Sequence, residues 1–191
     1  MKIIFLAILG VFLFAQTGLA TADNPRVRIV SAVGDIDLEI VLDKAPLSAA
    51  NFLRYVDARL YDGTAFFRTV TMANQPDNKV KIAVIQGGDV PEDKAFPPIA
   101  HETTAVTGLR HLDGAVSMAR ANPGTASCSF FICLGDQPEL DFNGRRNPDG
   151  QGFAVFGQVV AGMEVVRRIH ASPRDKQSLT PPVIILTIRR L

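Results

Sequence analysis

Arg68 lies in Phe66-Phe67-Arg68-Thr69-Val70, a run of aromatic and β-branched residues that reads as a strand. An arginine is always charged and carries five N–H donors in one plane. Among phenylalanines at a half-dry groove, that fork could hold a peptide carbonyl or a proline nitrogen. The other reactive side chains keep poorer company. Ser127 and Ser129 lack the sharp Gly-flanked turn of a nucleophile elbow. His101-Glu102 opens like a zinc-protease signature, but Ala105 stands where the second histidine would close it. His111 and His170 are isolated, so all three histidines read as surface or packing residues. Cys128 and Cys133 fall in an extended run, where five residues span about 16 Å, beyond disulfide reach. They read as buried free thiols. Asp35, Asp37 and Glu39 alternate along a strand without a calcium-loop glycine, so they form its wet face and no metal site is expected.

The elements that must position Arg68 follow from hydropathy. Met1-Lys2 precedes an apolar run from Ile3 to Ala15. That run has the length of a signal-peptide core and is short of the ~20 residues of a membrane span. Ala20-Thr21-Ala22 is a cleavage signal, so residues 1–22 are expected to be a cleavable signal peptide and 23–191 one domain. The protein would then be periplasmic or secreted, with no stable membrane association after cleavage. The chain holds 20 Lys+Arg and 19 Asp+Glu. Loss of Lys2 with the leader balances them, which argues against an electrostatic grip on nucleic acid.

Residues 26–31 and 34–40 alternate as a hairpin. Pro46 opens a helix whose apolar face is Ala49, Phe52, Leu53, Val56 and Leu60, with Asn51 and Arg54 toward the polar side. Thr71 to Lys81 is a polar loop, and Ile82 to Ile85 returns as a strand. Further short strands fall at 115–119, 129–133, 153–160 and 183–189, and Met163 to Ile169 suits a second helix. Many short strands, one helix near the front and one near the back predict an all-β fold, a closed barrel with helices over its ends. Phe130 and Ile132 point to a filled interior, against a hollow ligand carrier.

In order, Tyr61-Asp62-Gly63-Thr64-Ala65-Phe66-Phe67-Arg68, Ile85-Gln86-Gly87-Gly88-Asp89, Gly114 to Arg120, Ser129-Phe130-Phe131-Ile132, Leu140-Asp141 and Phe153-Ala154-Val155-Phe156-Gly157 resemble a cyclophilin-type peptidyl-prolyl cis-trans isomerase. The Met-Ala-Arg form and the leader resemble bacterial exported members. The resemblance implies a closed eight-stranded antiparallel barrel capped by two helices, and cofactor-free isomerisation of X–Pro bonds in peptides and unfolded exported proteins, by a monomer. It implies Arg68 as the catalytic arginine and Gln86 as its orienting partner. For substrate binding it implies Phe131 and Leu140 as pocket walls, Val70, Phe153 and Phe67 beside them, and Ala83 at the position of a pocket phenylalanine. Ala119, Arg120 and Ala121 would carry the substrate backbone. Ser129 stands where the family has a glutamine that contacts that backbone, which leaves a Pro-binding chaperone module with little turnover as the alternative. Glu139 stands where the family has the tryptophan that helps grip cyclosporin, which implies weak inhibition by that drug.

Overall fold

The structure, a computed structural model, describes residues 24–191. The expected signal peptide lies outside the described residues. Nine strands are present: β1 (Arg26–Ser31), β2 (Gly34–Ile40), β3 (Ala65–Val70), β4 (Val84–Gly87), β5 (Ala115–Met118), β6 (Phe130–Cys133), β7 (Ala154–Ala161), β8 (Arg174–Asp175) and β9 (Ser178–Arg190). The helices are α1 (Pro46–Asp57), a single turn α2 (Thr104–Thr107) and α3 (Met163–Ala171). Eight strands form a ring in the order β1-β2-β7-β5-β6-β4-β3-β9, and β9 returns to pair with β1. Every pairing is antiparallel. The two-residue β8 pairs only with β9 and stands outside the ring. The predicted eight-stranded barrel is therefore observed, with α2 and two 3₁₀ turns, Glu92–Lys94 and Pro138–Leu140, beyond the two helices expected.

Closure depends on β9. Its 13 residues pair first with β3 and then with β1. Between the partners of Arg68 and Phe66 the β9 register jumps from Ser178 to Val183. Pro181 and Pro182 sit in that jump, where a missing N–H breaks no ladder bond.

The inward side chains fill the barrel. Val27, Ile29, Ile36, Leu38, Phe66, Ile85, Phe130, Ile132 and Phe156 are all fully buried in one cluster. Phe130 meets Phe52, Tyr61 and Phe66 edge-on, with centroids 5.4–6.0 Å apart. Such T-shaped pairs are favourable beyond the area they bury. The central strands are apolar on their outer face too. Val84, Phe131, Cys133, Ala115 and Val155 join Val70, Ile82 and Leu140 in a second cluster, which is why β6 is a continuous apolar run instead of alternating.

Three local expectations change. The first helix ends at Asp57, and Leu60 falls in the following turn. Asn51 is buried and donates to the Ser127 carbonyl. The strand expected from Ile82 begins at Val84. α1 also lacks a side-chain cap of its own. The buried Glu102, 55 residues from Leu47, accepts from the Leu47 and Ser48 N–H groups at 3.0 and 2.6 Å. A carboxylate there satisfies two orphan donors and sits at the positive end of the helix dipole. Glu102→Ala is expected to cost about 2 kcal/mol and lower the melting temperature by about 5 °C. An unchanged calorimetric melt would refute that capping role.

Candidate active site

The outer face of β3, β4 and β6, with the segment that follows β5, carries a groove of about 320 Å³. Arg68, Gln86, Ala119, Arg120, Ala121, Phe131, Leu140 and Phe153 line it, together with Ile82, Val84, Thr125, Ser127 and Ser129. Arg68 reaches this face because β3 is bulged. Phe66 opposes Gly87 and Arg68 opposes Gln86, so Phe67 has no partner of its own. Without the bulge, Phe66 and Arg68 would share a face. With it, Phe66 fills the barrel and Arg68 emerges into the groove, the re-aiming that bulges give near sites.

The Arg68 guanidinium is held by two neutral side chains. Its Nη1 donates to Gln86 Oε1 at 2.9 Å. Its Nε and Nη2 donate to Gln177 Oε1 at 3.0 and 2.6 Å. Gln177 is fixed in turn. Its carbonyl accepts from Thr69 N at 2.9 Å, and its Nε2 donates to the Asn74 carbonyl at 3.1 Å. Asn74 Nδ2 bonds the Thr69 and Lys176 carbonyls at 3.0 and 2.9 Å. The buried Gln75 staples the two ends of the same loop, donating to Thr71 O and Ile82 O at 2.7 and 2.8 Å. Burial pulls the Arg68 pKa below the ordinary arginine value. Arginine stays protonated regardless, so the site holds a partly dehydrated cation.

Phe131 and Phe153 meet edge-on, with centroids 5.2 Å apart, and form the apolar slot with Leu140. Arg120 borders it. It bonds Asp149 and the Gly152 carbonyl and stacks over Phe153, 5.1 Å from the ring centre, so its side chain clamps the loop that delivers that ring. The opposite wall is pinned from behind. Asn51 holds the Ser127 carbonyl, Tyr61 Oη donates to Cys128 O at 2.7 Å, and Ala119 N donates to Ser129 O at 2.9 Å. Glu139 is engaged with Arg145.

Three expected lining residues do not face the groove. Phe67 is consumed by the bulge. Val70 is fully buried behind the wall in the second cluster. Ala83 lies between Ile82 and Val84, and strand alternation turns it away from the face those two share. It uses its backbone to bond Gln137 and Leu134. Ile82 and Val84 supply the apolar surface expected of Ala83.

Sequence reasoning missed Gln177, a turn residue 109 positions from Arg68 with no motif around it. It also missed what lies under Phe131. His111 stacks on that ring with centroids 5.9 Å apart and planes 10° apart. His111 Nδ1 meets Asp141 Oδ1 at 2.7 Å and its Nε2 meets Ser117 Oγ at 3.0 Å. The set has the order of a hydrolase triad, but Ser117 is 0% exposed and reaches no substrate. Its effect is to fix the Phe131 ring. Burial lowers the His111 pKa, and Asp141 opposes that only in part.

The arrangement offers a cation with spare donors beside an apolar slot. That suits a ring-bearing, carbonyl-rich ligand. The described residues show no group of three or more His, Cys, Asp or Glu that could hold a metal.

Comparison with known proteins agrees. Residues 26–190 match the family model described as cyclophilin type peptidyl-prolyl cis-trans isomerase/CLD. Peptidyl-prolyl cis-trans isomerase A of Dickeya dadantii is 36% identical over 155 residues, covering 78% of this chain and 73% of that protein. A peptidyl-prolyl cis-trans isomerase of Acinetobacter baylyi is 35% identical over 192 residues, covering 95% and 92%. Among solved structures, a Cryptosporidium parvum cyclophilin type isomerase superposes with a TM-score of 0.71 at 23% identity, over 88% of this chain and 98% of that one. The same protein determined in the presence of the dipeptide Ala-Pro gives 0.69 at 24% identity, over 86% and 97%.

Because burial lowers the His111 pKa in the fold, stability is expected to depend on pH. Above the unfolded histidine value of about 6.5 both states are neutral and nothing is lost. Below it the unfolded chain takes up the proton first, so stability falls, by at most about 1.4 kcal/mol per pH unit, until the folded pKa is passed. Urea midpoints between pH 7 and 5 should decline in the wild type and flatten in His111→Gln. Equal slopes would contradict the assignment.

Proposed function

The chain belongs to the cyclophilin-type peptidyl-prolyl cis-trans isomerase family and is an isomerase of X–Pro bonds, and we propose that Arg68 carries its catalysis and that exported proteins are its substrates. The observation that carries the catalytic part is the setting of Arg68. It stands beside Phe131 and Leu140, bonded to two amide oxygens and, among the described residues, to no carboxylate. Three of its five donors are spent on Gln86 and Gln177, which leaves two for a ligand.

Rotation about an X–Pro bond crosses a barrier of about 18–20 kcal/mol, because resonance keeps the amide planar. At the half-turned state the nitrogen regains its lone pair. The Phe131–Leu140–Phe153 slot holds the proline ring while the preceding carbonyl swings along Ala119 to Ala121. Arg68 donates to the nitrogen lone pair or the rotated carbonyl, an interaction stronger in the twisted state than in either planar one. A 10⁵-fold acceleration needs about 7 kcal/mol. One preorganised charged donor supplies roughly 3–4 of it. The remainder comes from gripping the ring and excluding water.

The export part of the proposal rests on the amino-terminal sequence, with Lys2, the apolar run to Ala15 and Ala20-Thr21-Ala22. It places the enzyme in the periplasm or outside the cell, as a monomer acting on proline-containing peptides and unfolded exported chains. The Ala-Pro dipeptide used with the C. parvum relative is in keeping with that substrate class.

Arg68→Ala is expected to lower kcat/KM about 10²–10³-fold with the fold intact, and Arg68→Lys to restore little, since the planar fork is lost. Proline-isomer exchange in a peptide, followed by NMR beside circular dichroism, checks this; a folded and fully active Arg68→Ala would defeat it. Gln177→Ala should lower kcat about tenfold while KM moves little, because the guanidinium loses its second anchor. Cell fractionation of the full chain, with the mature amino terminus sequenced, checks the export part; an intact Met1 in the cytoplasm would refute it.

A further inference from the structure

Two arginines of this barrel are withdrawn from solvent without an acid to balance them. Seven described arginines have a carboxylate within 4.0 Å. Of those without one, Arg54, Arg59, Arg110, Arg168 and Arg174 are exposed. Only Arg68 and Arg146 are half-buried. An unpaired, partly dehydrated cation is unfavourable in an isolated fold and favourable toward an incoming anion.

Arg146 stands beside the end of the groove formed by Ile82 and Leu140. Its backbone N–H bonds the Glu139 carbonyl at 3.1 Å, next to Leu140. Its Nη1 donates to the Val80 carbonyl at 2.6 Å, two residues before Ile82. Among the described residues that is its one side-chain hydrogen bond, which leaves four donors unused. Burial first, and then the charge of Arg68, lower its pKa, so the two cations feel each other. The neighbouring acids are engaged already. Glu139 pairs with Arg145, Asp141 with His111, and Asp149 with Arg120. The adjoining loop adds Lys79 and Lys81 against Asp77 alone.

We propose that Arg146 selects substrates that carry an aspartate or glutamate directly beside the isomerising proline, the carboxylate taking the unused donors of Arg146 in the combined field of Arg146 and Arg68. This rests on the isomerase reading of the same groove. The neutral slot grips the proline and gives no preference among its neighbours. The charged end supplies one. Charge-assisted hydrogen bonds of this kind are roughly twice as strong as neutral ones, and one is enough for about a tenfold preference.

The test is isomer exchange by NMR on short peptides Ala-X-Pro-Y. Glu, Gln or Lys is placed first at X with Y alanine, then at Y with X alanine. In the wild type, Glu should exceed Gln in kcat/KM by about tenfold at one of the two positions, with Lys below Gln. The Glu-to-Gln ratio should collapse toward one in Arg146→Gln and survive largely in Arg146→Lys. Losing only the tether to Val80 would move the Glu and Gln peptides alike and leave the ratio intact. Equal Glu and Gln rates at both positions, or a ratio that persists in Arg146→Gln, would overturn the proposal. Failure of the wild type to turn over any of the peptides would instead overturn the isomerase reading beneath it.

Discussion

A guanidinium partly stripped of water and tied to amides in place of acids is the constraint around which this molecule is arranged. A carboxylate partner would neutralise Arg68 and occupy the donors that a twisting imide needs. An unanchored arginine would spread its donors over many rotamers and lose the entropy on binding. Gln86 and Gln177 avoid both outcomes. Each offers an oxygen dipole without a net charge, so orientation is secured while the cation stays available. The cost is desolvation, and it appears as the lowered pKa of Arg68.

Much of the surrounding fold serves to hold that one group. The bulge at Phe67 sends Arg68 outward while Phe66 continues the core. The antiparallel register of β3 and β4 sets Gln86 across from it. The β8–β9 hairpin carries Gln177, and the 71–81 loop holds Gln177 through Asn74. That loop is polar in composition, and two of its amides, those of Asn74 and Gln75, are spent inward on carbonyls of Thr69, Thr71, Ile82 and Lys176.

The slot beside Arg68 is made rigid differently, by apolar packing over a buried polar set. Phe131 lies between Phe153 and His111, and His111 is held at both nitrogens. A fully satisfied polar set in a dry interior resists rearrangement, because any displaced partner would be left unbonded. The ring face presented to substrate is thereby fixed. The same burial ties the slot to pH through His111.

Patterns of period two and 3.6 in the sequence were enough to determine a closed barrel with two main helices, because every strand and helix must hide one apolar face and antiparallel neighbours solve that problem locally. The family resemblance carried by the ordered motifs around Arg68, Gln86, Ala119, Phe131, Leu140 and Phe153 pointed to residues that line one groove in the structure. What only the tertiary structure decided were events that break a local rule or span a long separation. The bulge that spends Phe67, the strand phase that turns Ala83 away in favour of Ile82 and Val84, and the burial of Val70 all depend on how neighbouring strands register. Glu102 capping a helix across 55 residues, and Gln177 meeting Arg68 across 109, leave no trace in composition or spacing. A hydrogen bond is satisfied by whichever group arrives in space, and chain distance places no limit on which one that is.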